Sequence, residues 1–316
     1  MIIASCTKLS ISRFGYDYTM HSIRQLALIG STASGKTALA VKLAKARNAH
    51  ILSIDSLAIY KEIDIVSAKP TVEEREGIVH FGIDHLFPNQ PFSVMTFIRL
   101  YKDVCQRCLA DQKELIIVGG TSFYLKMIME GISELPPPSS DAIARTEENL
   151  QEIESAYAML YRLDPKYASR IEKQDRYRIE KALNIYYTTG EKPSVYFASH
   201  PPKPVIDAPL PIYEIVWDRD ILRQRITQRT TQMLAKGLID EVAMLEAKYT
   251  RAPHCMKAIG VKETLAYLDG IFDKQILAQK IATNTARLAK RQNTFNRSQF
   301  PKVTRSDIQT LEKILI

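Results

Sequence analysis

The chain has 316 residues, 46% hydrophobic and 25% charged, with 43 Lys and Arg against 35 Asp and Glu and a net charge of +8. That composition suits a globular protein large enough for one core plus an inserted unit, and its sign favours an acidic partner. No apolar run reaches the roughly 20 residues needed to span a bilayer, and no basic region followed by an apolar stretch opens the chain, so a cytoplasmic protein with no membrane partner is expected.

Residues 1–20 match no periodic pattern and read as an N-terminal tail before a compact domain. Leu26 to Ile29 is a buried strand, and Gly30-Ser31-Thr32-Ala33-Ser34-Gly35-Lys36-Thr37 then fits G-x-x-x-x-G-K-[ST], a phosphate-binding loop. Its glycines let successive N–H groups turn inward on phosphate oxygens, Lys36 brings a point charge, and the Thr37 hydroxyl is placed to ligate Mg²⁺. Thr37 to Arg47 is the following helix. The loop alone leaves open whether the phosphate belongs to ATP, GTP or another molecule.

Ile51 to Ile54 is a second strand, ending at Asp55 near the carboxyl edge where α/β sheets bind ligands. Asp55 can be a magnesium ligand, an acceptor for a substrate proton or a helix N-cap, and its position opposite the phosphate loop favours general-base work. His80 to Pro91 is loop-like, and Ser93 to Leu109 is an amphipathic helix. It carries Cys105 and Cys108, a C-x-x-C whose only further zinc-type partners are His254 and Cys255, so plain thiols are expected. Leu115 to Val118 is a third strand, running into Gly119-Gly120-Thr121 and a helix from Phe123 to Met129. Repeated strand–loop–helix units give an α/β fold, a parallel sheet flanked by helices.

Pro136, Pro137 and Pro138 break this rhythm. Ser140 to Leu163 and Pro165 to Thr189 are helix-patterned, Gly190 is a C-cap, and a second proline cluster runs from Pro201 to Pro204. Residues 139–200 therefore read as a helical insertion between two parts of a catalytic core, 21–138 and 201–316. Tyr213 to Trp217 resumes the strand pattern, and Asp220 to Gly237 and Leu238 to Lys248 are helices, the first with Arg225 and Arg229 at i and i+4 on one face. A helix to Leu268 and a long helix from Asp273 to about Gln299 follow. From Gln279 to Ser306 there are seven Lys or Arg residues and no Asp or Glu, interleaved with Gln292, Asn293, Phe295 and Asn296. Aromatic and amide residues among the charges favour a nucleic-acid surface over a plain solvated face.

Together these motifs resemble the tRNA dimethylallyltransferase (isopentenyl-pyrophosphate:tRNA transferase) family from Leu26 to about Arg305. The family's G-x-T-A-S-G-K-T matches Gly30 to Thr37, D-S-x-Q-x-Y and A-K-P resemble Asp55 to Tyr60 and Ala68 to Pro70, and G-G-T-x-x-Y matches Gly119 to Tyr124. Its N-D-x-x-R-[IL] resembles Asp175 to Ile179, G-L-x-x-E-V matches Gly237 to Val242, A-I-G-Y-K-E resembles Ala258 to Glu263, and A-K-R-Q-x-T-W-x-R resembles Ala289 to Arg297.

The resemblance implies transfer of a dimethylallyl group from its diphosphate to N6 of an anticodon-adjacent tRNA adenosine by a monomeric, magnesium-assisted enzyme. Asp55 would take the N6 proton, with Lys36, Thr121 and Arg287 as further catalytic residues. Asp55, Ser56, Leu57, Ala58 and Thr121 would meet the flipped nucleotide. Tyr177, Arg178, Ile179, Glu180 and Lys181 of the insertion, with Lys257 and Lys262, would face the tRNA. So would Lys290, Arg291, Gln292, Phe295 and Arg297 of the basic helix. The sequence departs from the family at Ala58 and Phe81, at Phe295 for Trp, and at Ala286, where a diphosphate arginine is usual. Arg287 lies about 100° further round the helix and would have to reach back. If the missing arginine matters, Ala286→Arg should raise activity. Two other readings use fewer of these features: a phosphate-loop kinase of a small metabolite, and an RNA-binding module switched by nucleotide.

Overall fold

The computed structural model describes residues 23–206 and 208–316; the tail expected at 1–20 lies outside the described residues. The first half-sheet alternates strands and helices. In order these are β1 (Gln25–Gly30), α1 (Lys36–Ala46), β2 (Ala49–Ser53), α2 (Val72–Arg75), β3 (His80–Phe81), α3 (Val94–Ala110), β4 (Glu114–Gly119) and α4 (Ser122–Glu130). Five helices come next: α5 (Ser140–Asn149), α6 (Ile153–Leu163), α7 (Pro165–Ala168), α8 (Arg176–Thr189) and α9 (Pro193–Ser199). The chain then returns through β5 (Ile212–Ile215), α10 (Arg219–Ala235), α11 (Leu238–Tyr249), a 3₁₀ turn at His254–Lys257, α12 (Val261–Leu268), α13 (Lys274–Gln299), β6 (Thr304–Ser306) and α14 (Ile308–Leu315).

The six strands form one parallel sheet in the order β3-β2-β4-β1-β5-β6. Its central strands β1 and β4 are apolar along most of their length because both faces are covered. In β1, Ala27 and Ile29 enter one core cluster with α3 and α11 while Leu26 and Leu28 enter another with α1 and α14; in β4, Leu115 and Ile117 alternate with Ile116 and Val118 in the same way. The expected sheet flanked by helices is thus found, with additions that periodicity did not show. The two-residue β3 lies in the stretch read as loop, too short for any alternation to register. Beyond the basic helix, β6 pairs with β5.

The helices α5 to α8 carry a small apolar core of their own, which includes Leu150, Leu160, Ile179 and Leu183. The run read as one helical stretch from Ser140 divides between α5 and α6, with Leu150 ending α5 and Glu152 preceding α6. The segments leading out to these helices and back from them are joined by an antiparallel bridge between Ile132 and Lys203.

Candidate active site

Parallel register delivers the site. Ile29 of β1 stands opposite Gly119 of β4, and Ser53 of β2 opposite Val118, so the loops after three strands emerge side by side at one carboxyl edge. These loops are Ser31–Gly35, the segment from Asp55, and Gly120–Thr121. Gly35, at the N-terminus of α1, has φ 90°, a left-handed conformation that glycine adopts without strain.

Within the first loop, Lys36 Nζ donates to the Ser31 carbonyl at 2.6 Å and to Ser34 Oγ at 3.2 Å. Burial, reinforced by the Arg229 charge and opposed by Asp55, lowers the Lys36 pKa to about 7. Two arginines of α10 hold the loop from outside. Arg225 Nε donates to the Ala33 carbonyl at 2.8 Å and the guanidinium lies over Trp217, whose indole N–H donates to the Ser34 carbonyl. Arg229 reaches both Thr32 Oγ1 and the Ser67 carbonyl at 3.4 Å, and burial lowers its pKa. Neither arginine was assigned a site role from sequence; their i, i+4 spacing was the available signal.

Asp55 Oδ1 accepts the N–H groups of Leu57 at 2.8 Å and Ala58 at 3.2 Å. The capping and chemical readings of Asp55 are therefore compatible: one oxygen fixes the carboxylate, and Oδ2 has no hydrogen-bond partner among the described residues. Thr121 precedes α4, yet its side chain makes no capping bond.

Two cavities meet here. A cavity of about 370 Å³ is lined by the phosphate loop from Thr32 to Thr37 with Lys69, Arg225 and Arg229, and one of about 880 Å³ by Thr121, Lys257, Lys262, Arg291 and Phe295. They share Thr32, Asp55, Ser67, Gly120, Arg229 and Gln292. Ser56 and Leu57 line the larger cavity, whereas Ala58 is buried and lines the smaller. Among the described residues no group of three His, Cys, Asp or Glu could hold a metal. The exposed Thr37 hydroxyl offers one hard oxygen, which suits a cation held jointly with substrate phosphates. Cys105, Cys108 and Cys255 are buried free thiols, the first two pushed up to about 11 and about 12 by burial.

Several positions read from sequence lie elsewhere than expected. Arg287 is exposed, donates to Asn284 Oδ1 at 3.3 Å and lines only the larger cavity, whereas the arginines that line the smaller one are Arg225 and Arg229. Ala286 is half-buried and packs against the cluster of Leu222, Ile226 and Ala289 between α10 and α13, so in this chain the position serves that seam. Ile179 is fully buried among the small helical core and cannot touch RNA. Of its neighbours, Tyr177 is 67% exposed, Arg178 pairs with Asp175 at 2.6 Å, and Glu180 pairs with Lys181. Lys290 and Arg297 are exposed on α13 and line neither cavity. Gln292, expected on the tRNA side, accepts the Thr32 N–H of the phosphate loop at 2.9 Å. Arg305, counted in the basic run, neutralises the buried Glu214 at 2.7 Å.

Comparison with known proteins agrees with this architecture. Residues 58–299 match the IPP transferase family. A tRNA dimethylallyltransferase of Sulfurovum sp. is 63% identical over 93% of this chain and 98% of its own length, and one from Sulfurimonas denitrificans is 53% identical over 92% and 98%. The crystal structure of the tRNA isopentenylpyrophosphate transferase from Bacillus halodurans superposes with a TM-score of 0.68 at 30% identity, covering 93% of this chain and 95% of that one. A eukaryotic dimethylallyltransferase acting on tRNA shares the fold with a TM-score of 0.80 at 24% identity, covering 90% and 74%. These matches set aside the kinase and nucleotide-switch readings: the chain belongs to the IPP transferase family, the tRNA dimethylallyltransferases, and is a prenyltransferase.

Proposed function

We propose that this enzyme transfers a dimethylallyl group from dimethylallyl diphosphate to N6 of the adenosine immediately 3′ of the anticodon in tRNA. The observation that carries this reading is the junction of the two cavities at Asp55, with a phosphate loop on one side and basic, aromatic α13 residues on the other. The smaller cavity takes the diphosphate against Gly30, Ser31, Thr32, Ala33, Ser34, Gly35, Lys36 and Thr37. The larger cavity takes an adenosine flipped out of the anticodon loop, since the reacting amine cannot be reached in the stack.

In the reaction the donor's allylic C–O bond breaks as the N6–C bond forms. The N6 proton passes to Asp55 Oδ2, which makes the weak amine nucleophile competent as it attacks. Lys36 and Arg229 neutralise charge growing on the leaving diphosphate. Mg²⁺, held by Thr37 and the substrate, would supply further neutralisation there. Thr121, at the start of α4 but making no capping bond, contributes a free hydroxyl. The two bound substrates, meeting at the junction from opposite cavities, would themselves keep water from the cationic allylic carbon. Lys257, Lys262, Arg291 and Phe295 hold the loop around the flipped base, while Tyr177, Lys290 and Arg297 meet its backbone, so tRNA affinity weakens with salt. The proposed working unit is a cytoplasmic monomer whose 139–200 insertion contacts tRNA.

Purified protein with Mg²⁺, dimethylallyl diphosphate and tRNA bearing the unmodified adenosine should release diphosphate and add five carbons to that base. Asp55→Ala should abolish transfer and leave tRNA binding near wild type; an active Asp55→Ala enzyme removes the general-base role.

A further inference from the structure

The side chain of Gln292 joins two elements that the reaction loads with different substrates. It projects from α13, one residue after Arg291 and three before Phe295, both of which line the larger cavity. Its Oε1 accepts the Thr32 N–H of the phosphate loop at 2.9 Å across 260 residues of sequence. On the other side the amide is packed against the loop after β4: a Cβ built at Gly120 would lie 2.5 Å from Gln292 Nε2, so glycine at 120 is what admits the side chain. Thr32 is held again from α10, by Arg229 at its hydroxyl. Among the described residues, the amide of Gln292 is thus the direct hydrogen-bonded link from the basic helix to the diphosphate compartment.

We infer that Gln292 is a positioning residue that couples the two substrates: RNA seated on this turn of α13 fixes its amide, the amide fixes Thr32, and the phosphate loop then binds diphosphate more tightly. The inference rests on the assignment of the two cavities to diphosphate and tRNA. Its physical basis is pre-organisation. Immobilising one turn of α13 removes ordering cost that the diphosphate would otherwise meet, and coupling of this kind is reciprocal. A single neutral hydrogen bond is worth about 1 kcal/mol, or roughly fivefold in affinity.

Trp217 is the only tryptophan and its indole donates to the Ser34 carbonyl, so its fluorescence reports occupancy of the phosphate loop. Inorganic diphosphate with Mg²⁺ is titrated with and without an anticodon stem–loop carrying the unmodified adenosine. Wild type should bind diphosphate about fivefold more tightly in the presence of the RNA. Gln292→Met keeps the volume and loses the acceptor, and its ratio should fall to about one. Gln292→Glu keeps the acceptor and should retain the ratio while its charge weakens diphosphate binding with and without RNA alike. A ratio of one in wild type, an undiminished ratio in Gln292→Met, or loss of the ratio in Gln292→Glu would overturn the coupling. Failure of wild type to transfer the prenyl group is scored separately and would overturn the underlying assignment of the cavities instead.

Discussion

Replacing Lys36 with methionine is expected to stabilise the ligand-free protein, by an amount that depends on pH. In the fold, burial and the Arg229 charge bring the Lys36 pKa down from 10.5 to about 7. An unfolded chain keeps this proton up to about pH 10.5, so between pH 7 and 10.5 unfolding takes up a proton and wild-type stability rises with pH. At about 1.4 kcal/mol per pH unit, the charged lysine costs the fold about 5 kcal/mol below pH 7 and almost nothing near pH 10.5. That figure is a ceiling. Lys36 is only partly enclosed by accessible area, and methionine forfeits the bonds to Ser31 and Ser34. Denaturant unfolding of wild type and Lys36→Met at pH 7, 8 and 9 checks the slope: the advantage of the variant should shrink by about 1 kcal/mol from pH 7 to 8 and by about 1.3 kcal/mol from pH 8 to 9. A difference that stays constant with pH would refute the reasoning, as would a variant less stable at pH 7. Phosphate oxygens restore the charge on Lys36, so diphosphate affinity in wild type should fall as pH rises above 7, and the variant should lose that dependence together with most of its affinity.

Arg229→Ala removes a charge-assisted contact and should weaken diphosphate by about 10- to 100-fold in calorimetric titration, with unchanged affinity excluding a direct role. Ala286→Arg forces a long chain into the packed seam between α10 and α13 and should lower stability by about 1–3 kcal/mol without raising kcat, the reverse of what the missing family arginine suggests. Glu241 accepts the N–H groups of Asp64, Ile65 and Val66 at 3.0, 2.7 and 2.9 Å; Glu241→Ala should therefore speed amide exchange at those three positions, and unchanged protection would show that the loop is held by other contacts. Ile179→Ala should cost about 2–5 kcal/mol of stability, whereas Tyr177→Ala should leave stability almost untouched and raise KM for tRNA; the opposite pattern would place Ile179 at the RNA.

Much of the sheet was legible because its central strands are largely apolar runs followed by glycine or aspartate, and a run buried on both faces needs no partner to be recognised. Leu26–Ile29, Ile51–Ile54 and Leu115–Val118 all have this form. By contrast β3 and β6 have two and three residues, and they are strands only because β2 and β5 offer edges to pair with. Ile179 was misplaced for a related reason. Its motif match marks a segment of α8, but which face of that helix is buried depends on α5 and α6 packing against it.

The sequence by itself determined the parallel α/β class and the reaction family, because each is written in local patterns: glycine spacing, apolar runs and ordered motifs. Only the tertiary structure decided which cations serve the loop. Arg225 and Arg229 lie some 190 residues from Ala33 and Thr32, and reach them because β5 pairs with β1 and delivers α10 beside the loop. It also decided that Ala286 is a packing residue and that Gln292 belongs to the phosphate loop as well as to the basic helix. The helical repeat sets the angle between neighbouring side chains, but the partner each one meets is set by the helix or loop packed against it.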